Sequence, residues 1–327
     1  MNIRYYITGI VFIIATVGCA KSFNLEMEET PPLYVIEGRV SNMRGPYYIR
    51  ITKSTNLLNI GNNVAYGLDS AEPVKGALVV IADDLGVTDT LKPSTGTGSP
   101  RYVYYYSNGV IDSSMAPFHA PFYTNDRGYY ETTKLTGQPG HNYHLTVRIG
   151  SSTFHASAYM APVPTLDSAV IKETVVDTYG NKGYLPFVWF KEPENENNYY
   201  LFQHNNLPHY LYDDVNETNY SAMFFPFYVL DDKTMPTYVA GLGMRVIVSS
   251  QYRYGDNYPY RKPAEPKQVK LSSLTKEAYE YFNVQGKQFE NDGNIYKPVP
   301  ATPKGNISGN ALGLFWATQV SYKLVMP

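Results

Sequence analysis

The carboxylates that could act as acids or bases are scattered along the chain. Aspartates occur as adjacent pairs at Asp83-Asp84, Asp213-Asp214 and Asp231-Asp232. Neighbouring residues of a strand point to opposite faces, so one such pair cannot work on one substrate as acid and base. Glycosidase chemistry needs two carboxylates that converge from separate elements. We interpret these pairs as turn aspartates, and the sequence leaves convergence of distant carboxylates open.

The histidines form no metal-binding motif. His141 and His144 are three residues apart, a spacing that matters on a helix, but here they span a turn that enters a strand. The patterns G-x-S-x-G, H-E-x-x-H, the P-loop and the dinucleotide fingerprint are absent. We therefore predict no metal site, no cofactor and no catalytic residue. A hydrolase with an unrecognised site is kept as an alternative.

The single cysteine of the chain, Cys19, is a candidate for lipid modification. Arg4 precedes an apolar run over residues 7–17, and Gly18 comes directly before the cysteine. A charged start, a short apolar stretch and a small residue before the cleavage site are typical of a secretory signal. The run is shorter than the roughly 20 apolar residues of a membrane span.

These features predict a lipoprotein. Residues 1–18 would be the signal peptide, and Cys19 would carry acyl chains such as palmitate after cleavage. Residues 19–32 are polar and acidic and end at two prolines, so they read as a tether to the membrane. Thr16 stands where the lipoprotein motif usually has leucine. The alternatives are an ordinary secretory signal with a stray cysteine, or a buried thiol.

Composition excludes several classes of protein. The chain of 327 residues has 27 basic and 29 acidic side chains, a balance that argues against nucleic acid as a partner. With one cysteine it can form no internal disulfide, so stability must come from packing. Tyrosine is unusually frequent, with 32 residues. Tyrosine favours strands and combines an apolar ring with a polar tip.

The pattern of elements predicts a mainly β fold. Short alternating segments at about ten-residue spacing indicate an immunoglobulin-like β-sandwich over residues 33–163. Residues 164–327 read as a second, mostly antiparallel β domain. It would contain one helix near 273–286, with Ser273 as its cap. Residues 92–125 read as an insertion that the pattern does not place.

One tyrosine-rich loop is the best candidate for contact with a ligand or partner. Tyr252, Tyr254, Tyr258 and Tyr260 lie in a segment rich in Gly, Asp, Asn and Pro. Four tyrosines in a polar loop cannot all be core residues, and tyrosine is favoured at interfaces. The alternative is that these rings pack over a sheet edge.

Several strings, in order along the chain, resemble one known family. They are Cys19 and the segments 33–40, 46–51, 73–81, 128–130, 137–145 and 303–315. They are similar to the conserved elements of the domain-of-unknown-function 4249 family of Bacteroidota lipoproteins. The segment 92–125 has no clear counterpart. The resemblance implies an outer-membrane lipoprotein without an agreed activity, often associated with a TonB-dependent transporter.

These observations lead to one functional hypothesis and two rivals. We expect a lipid-anchored binding or accessory protein of the outer membrane, which works with a TonB-dependent transporter in ligand capture or uptake. The ligand would be a glycan or a peptide. The rivals are a stand-alone glycan-binding or adhesion module and the hydrolase. The sequence does not decide between the surface and the periplasmic face of the membrane.

Three short strings are also similar to the O-glycosylation sequon of Bacteroidota secretory proteins. They are Asp69-Ser70-Ala71, Asp89-Thr90-Leu91 and Asp167-Ser168-Ala169. The acceptors would be Ser70, Thr90 and Ser168.

Overall fold

Strands dominate the architecture. The computed structural model describes residues 31–54, 71–107, 110–175, 180, 182–194, 196–206, 211–212, 227–244, 266–291 and 303–326. Within these ranges there is one α-helix, α1 (Lys276–Asn291). The strands are, in chain order, β1 (Tyr34–Ser41), β2 (Tyr48–Lys53), β3 (Leu78–Asp83), β4 (Thr88–Thr90), β5 (Lys92–Pro93), β6 (Thr95–Ser107), β7 (Val110–Thr124), β8 (Tyr129–Glu131), β9 (Asn142–Ile149), β10 (Ser152–Tyr159), β11 (Leu166–Val175), β12 (Lys182–Lys191), β13 (Tyr199–Asn206), β14 (Leu211–Tyr212), β15 (Phe227–Asp231), β16 (Tyr238–Gly243), β17 (Lys267–Leu274), β18 (Phe315–Thr318) and β19 (Val320–Val325).

The first β-sandwich arises from alternating apolar residues in the N-terminal strands. One sheet has the order β18-β1-β2-β8-β5 and the other β10-β9-β3-β4. Ile36, Ile49 and Ile51 point from the first sheet into a core shared with Val79 and Leu145 of the second. The neighbouring side chains of each strand point outward because the side-chain period of a strand is two.

The last part of the chain completes this first sandwich. Strand β18 pairs in parallel with β1, with Gly38 opposite Phe315. Phe315 and Ala317 then enter the N-terminal core. Asn306 supports this return, because its side-chain amide donates to the carbonyls of Ser157 and Phe315 at 3.0 and 2.7 Å.

A second sandwich follows with a core of its own. Its sheets have the orders β11-β12-β16 and β15-β13-β17-β19, and every pairing is antiparallel. Val188 and Phe190 from one sheet meet Phe202, Val269 and Leu271 from the other. The mainly β fold with sandwich-like sheets and one helix is therefore confirmed. The division of the chain near 163 into two domains stays a prediction.

Helix α1 packs between the two sandwiches. Ala278 and Phe282 contact Leu201 of β13, and Trp316 of β18 joins the same apolar cluster. The rings of Phe282 and Trp316 meet edge to face at 5.1 Å. The indole of Trp316 also lies 5.6 Å from the guanidinium of Arg39. Helix α1 and Trp316 therefore join the outer face of the β15-β13-β17-β19 sheet to the outer face of the β18-β1-β2-β8-β5 sheet of the first sandwich.

The helix begins later than its sequence pattern indicated. Its cap is Thr275, whose hydroxyl accepts a hydrogen bond from the N–H of Ala278 at 3.3 Å. Ser273 is not the cap, because its hydroxyl donates to the carbonyl of Ala161 at 2.6 Å and belongs to β17. The helix also passes through Gly286 and ends at Asn291.

The unplaced insertion 92–125 contains a long β-hairpin. Strands β6 and β7 pair from Thr95–Thr124 at the base to Ser107–Val110 at the tip. Strand β14 adds to β6 at Tyr104 and so brings a segment of the second half of the chain to the hairpin. At the base, the ring of Tyr123 stacks on that of Tyr48 at 4.8 Å.

Several tyrosines are core residues with tethered hydroxyls. Tyr47, Tyr130 and Tyr143 are almost completely buried. Their hydroxyls donate to the carbonyls of Met43, Val74 and Gln138 at 2.7, 2.9 and 3.1 Å. A buried tyrosine must satisfy its O–H group, and backbone carbonyls of the segments between strands provide the acceptors. Much of the tyrosine content thus serves packing.

Candidate functional site

The outer side of the β11-β12-β16 sheet carries aromatic side chains that the core does not use. In β12, Val188 and Phe190 point into the second core, so Phe187 and Trp189 point away from it. Both are half-buried. Tyr238 of β16 lies opposite Lys191 on the same side and is 48% exposed. We call Phe187, Trp189 and Tyr238 the aromatic face.

Two glycines of β16 let the rings of β12 lie on the sheet. A β-carbon added to Gly241 would stand 3.1 Å from the Trp189 ring, and one added to Gly243 would stand 3.0 Å from the Phe187 ring. Gly241 also has a φ of +75°, which side-chain-bearing residues rarely adopt. The rings therefore occupy the places where side chains of β16 would stand.

The neighbours of Trp189 are small and leave its ring open to one side. Ser168 of β11 and Ala240 of β16 lie directly opposite Trp189 in the two pairings, and both are exposed. The exposed Lys172 reaches over the rings, with its ammonium 5.1 Å from the Trp189 centroid and 5.8 Å from that of Phe187. The ring faces are thus accessible to a flexible group from solvent.

A cleft of about 530 Å³ adjoins the aromatic face. Its lining includes Asp167, Lys191, Glu192 and Glu194. Asp167 links the two regions, because it accepts a hydrogen bond from the hydroxyl of Tyr238. The pKa of Tyr238 is raised by desolvation and by the carboxylate of Asp167. The cleft therefore places hydrogen-bonding groups of both charge signs next to Tyr238.

Glu192 is the buried carboxylate of this cleft. Its Oε1 accepts hydrogen bonds from the Tyr200 hydroxyl at 2.7 Å and from the Asn198 side-chain amide at 3.1 Å. Its buried Oε2 has no hydrogen-bond partner within the described ranges. Burial raises the pKa of Glu192 more than the bonds from Tyr200 and Asn198 lower it, and Asp232 adds to the rise. Its side chain is held in place by its neighbours.

The other candidate acids and bases occupy structural positions. Asp83 accepts hydrogen bonds from the N–H groups of Leu85 and Val87 in a turn. His141 pairs with Asp84 at 2.8 Å, whereas His144 lies 2.9 Å from the hydroxyl of Ser157. The two histidines therefore have different partners. Across the described part of the chain, no three His, Cys, Asp or Glu side chains are placed to hold a metal ion.

Of the candidate site residues predicted from sequence, Ser168 lies at this site, whereas the others lie elsewhere or outside the described residues. Cys19, Ser70 and the tyrosines of the contact loop, Tyr252, Tyr254, Tyr258 and Tyr260, lie outside the described residues. Thr90 is exposed on β4, and Ser168 is exposed on β11 beside Trp189. Asp213-Asp214 is likewise outside the description, while Asp232 accepts a hydrogen bond from the N–H of Asn198 at 2.7 Å.

The residue pattern of 185–190 indicates a strand, but the sequence analysis missed the outer face of that strand. The signal was present as two aromatic residues at alternate positions, Phe187 and Trp189, and two glycines at alternate positions, Gly241 and Gly243. Alternate aromatic residues and alternate glycines are each common in strands. Only the pairing of β12 with β16 shows that these aromatic residues and these glycines are neighbours.

These features describe a β-sandwich protein with an open aromatic face beside a polar cleft. The family model described as "Domain of unknown function (DUF4249)" matches residues 20–323, and the chain belongs to this family. None of the curated proteins compared with the chain matches it. In the part of the chain that the structure describes, no helix has both the length and the apolar character that crossing a membrane requires.

Proposed function

We propose that this protein is a lipid-anchored binding protein of the outer membrane. It captures a ligand on the aromatic face and works with a TonB-dependent transporter in its uptake. The observation that carries the proposal is that the cleft beside Asp167 adjoins the exposed ring of Tyr238, on the same side of the sheet as the half-buried rings of Phe187 and Trp189. Aromatic rings outside the described cores, next to fixed polar groups, are typical of a binding site.

The architecture suits capture by a prepared surface. The aromatic face lies on β12 and β16, two paired strands of a three-stranded sheet, rather than on a loop, and the rings of Phe187 and Trp189 rest on glycines of β16. The carboxylate of Glu192 is held by Tyr200 and Asn198. Rigid groups lose little conformational entropy on binding, so little of the binding free energy is lost in ordering the site.

Attachment through Cys19 would account for a location at the membrane. Each buried acyl methylene contributes about 0.8 kcal/mol, so one chain holds marginally and several hold firmly. The polar segment 20–32 would separate the sandwiches from the lipid surface. A tethered binding protein stays close to a transporter in the same membrane, which raises its effective concentration there.

Affinity purification of the full chain from its own membranes tests this proposal. A C-terminally tagged chain should sediment with the outer membrane and recover a TonB-dependent transporter. The matched control, Cys19→Ala, should be found in the soluble fraction and recover none. If the wild-type chain recovers no transporter under conditions where another lipoprotein retains its partner, the accessory role is wrong. Ligand binding without a transporter would instead favour the stand-alone glycan-binding or adhesion module.

A further inference from the structure

The geometry points to a neutral oligosaccharide as the ligand of the aromatic face, an inference that rests on the proposed function of ligand capture. The sugar rings would stack on Trp189 and Phe187, and their hydroxyls would reach the polar groups at Tyr238 and in the cleft. The argument uses the electrostatics of the rings, their spacing, and the charges around them.

The face of an aromatic ring attracts C–H groups, because their hydrogens carry partial positive charge. The quadrupole of an aromatic ring places partial negative charge on its face and positive charge at its edge. A pyranose ring presents a patch of C–H groups on its face and hydroxyls around its rim. Trp189 can receive such a patch from its open side, because Ser168 and Ala240 opposite it are too short to cover the ring.

The spacing of the rings favours a chain of sugars over a single one. Phe187 and Trp189 are two residues apart on one strand, which separates their α-carbons by roughly 6.7 Å. Tyr238 lies on the neighbouring strand β16, opposite Lys191, which is two residues beyond Trp189 on β12. Two rings along β12 and a third ring displaced by one strand onto β16 match an extended ligand whose successive sugar rings each contact one aromatic ring.

The charges around the face favour a neutral ligand. Lys172 and Lys191 offer donors, while Asp167 and Glu194 offer acceptors. A ligand with many hydroxyls can form hydrogen bonds with both kinds of group. A cationic ligand would instead be repelled by Lys172, and an anionic ligand would be repelled by the carboxylates. The ammonium of Lys172 over the rings is on a long exposed side chain, so a sugar can displace it and then take a hydrogen bond from it.

Titration calorimetry on the full chain in detergent micelles tests the inference. The probes are neutral tetrasaccharides of glucose, xylose, mannose and N-acetylglucosamine, with choline as the cationic probe. We expect at least one tetrasaccharide to bind, and Trp189→Ala to weaken its binding at least tenfold. Tyr159→Ala removes an aromatic residue that is 40% exposed on another sheet, so it is the matched control and should change the affinity less than twofold.

A second variant guards against unfolding of Trp189→Ala. Ser168→Arg places a long side chain opposite Trp189 at an exposed position, so it should block binding while the thermal midpoint stays at the wild-type value. Binding of choline but of no tetrasaccharide would overturn the inference, as would sugar binding that survives both variants.

Failure of this inference is distinguishable from failure of the proposed function. Recovery of a transporter with no sugar binding rejects the sugar and keeps the accessory role. Sugar binding that depends on Trp189 but recovers no transporter keeps the sugar and rejects the accessory role.

Discussion

The carboxylate of Asp89 is expected to be a major source of stability in the first sandwich. Asp89 on β4 is fully buried, and its Oδ2 accepts hydrogen bonds from the N–H groups of Thr133, Lys134 and Leu135, each at 2.8 Å. Its Oδ1 accepts from the hydroxyl of Thr133 at 2.7 Å. One side chain therefore holds the segment after β8 against the β3–β4 hairpin.

Two substitutions separate the hydrogen bonds from the charge. Asp89→Ala removes all four bonds and leaves the N–H of buried Leu135 without its acceptor, so we expect a loss of about 3 kcal/mol in the free energy of unfolding. Asp89→Asn can keep the geometry, with its oxygen in place of Oδ2 and its amide donating to Thr133. It loses only the charge assistance, so the expected cost is about 1 kcal/mol.

The charge of Asp89 also predicts a dependence on pH. Burial by itself raises the pKa of Asp89, but the hydrogen bonds from residues 133–135 outweigh it and bring the pKa below 3.8. Because the folded pKa lies below the unfolded one, the stabilisation is complete above about pH 4. It is lost as the pH falls through the folded pKa. Asp89→Asn should remove this part of the acid sensitivity.

Urea unfolding followed by circular dichroism, repeated between pH 2.5 and pH 7, measures both effects. Thr88→Ala is the control, because Thr88 is an exposed residue of the same strand and should change stability by less than about 0.5 kcal/mol. The reasoning is refuted if Asp89→Ala costs less than about 1 kcal/mol, or if Asp89→Asn keeps the acid profile of the wild type.

Three further predictions concern other parts of the chain. Thr275→Ala removes the cap of α1 and should lower the free energy of unfolding by about 1 kcal/mol in urea, and an unchanged midpoint would contradict the cap. The buried ring of His204 has no hydrogen-bond partner within the described ranges, and burial lowers its pKa to about 3. The unfolded ring takes up a proton near pH 6.5, so the stability of the wild type should fall as the pH drops below that value. The thermal midpoint of His204→Phe should therefore depend less on pH between pH 6.5 and pH 4. An unchanged pH dependence would show that the ring is already protonated in the folded protein. Intact mass spectrometry of the native protein should find acyl chains on Cys19, whereas a free thiol there or a different N-terminus would reject the anchor.

Local patterns are sufficient for strands that pair with their neighbours in the chain. Alternation in 143–148 and 154–156 predicts a hairpin, which is β9–β10, and the apolar run 77–83 followed by a turn and the return strand 87–91 predicts the hairpin of β3 and β4. These strands pair with neighbours in the chain, so short-range signals specify them. The segment 92–125 has no regular alternation, and its hairpin was therefore not foreseen.

Long-range pairing was beyond the reach of those patterns. By its sequence alone, the segment 313–323 indicates one final strand. In the structure, β18 pairs with β1 and β19 pairs with β17, so the segment divides between the two sandwiches. The choice depends on which sheet edges are free after the rest has folded. No property of residues 313–323 by themselves contains that information.

The same distinction applies to the site. The sequence by itself determined the strand period that turns Phe187 and Trp189 to one side of β12, and it contains the single cysteine on which the predicted lipid attachment depends. Only the tertiary structure decided that this side is an outer one, that Gly241 and Gly243 lie beneath the rings, and that Asp167 joins the cleft to Tyr238. The physical reason is that period fixes relative direction within a strand, whereas burial and neighbours are set by packing between strands that are distant in the chain.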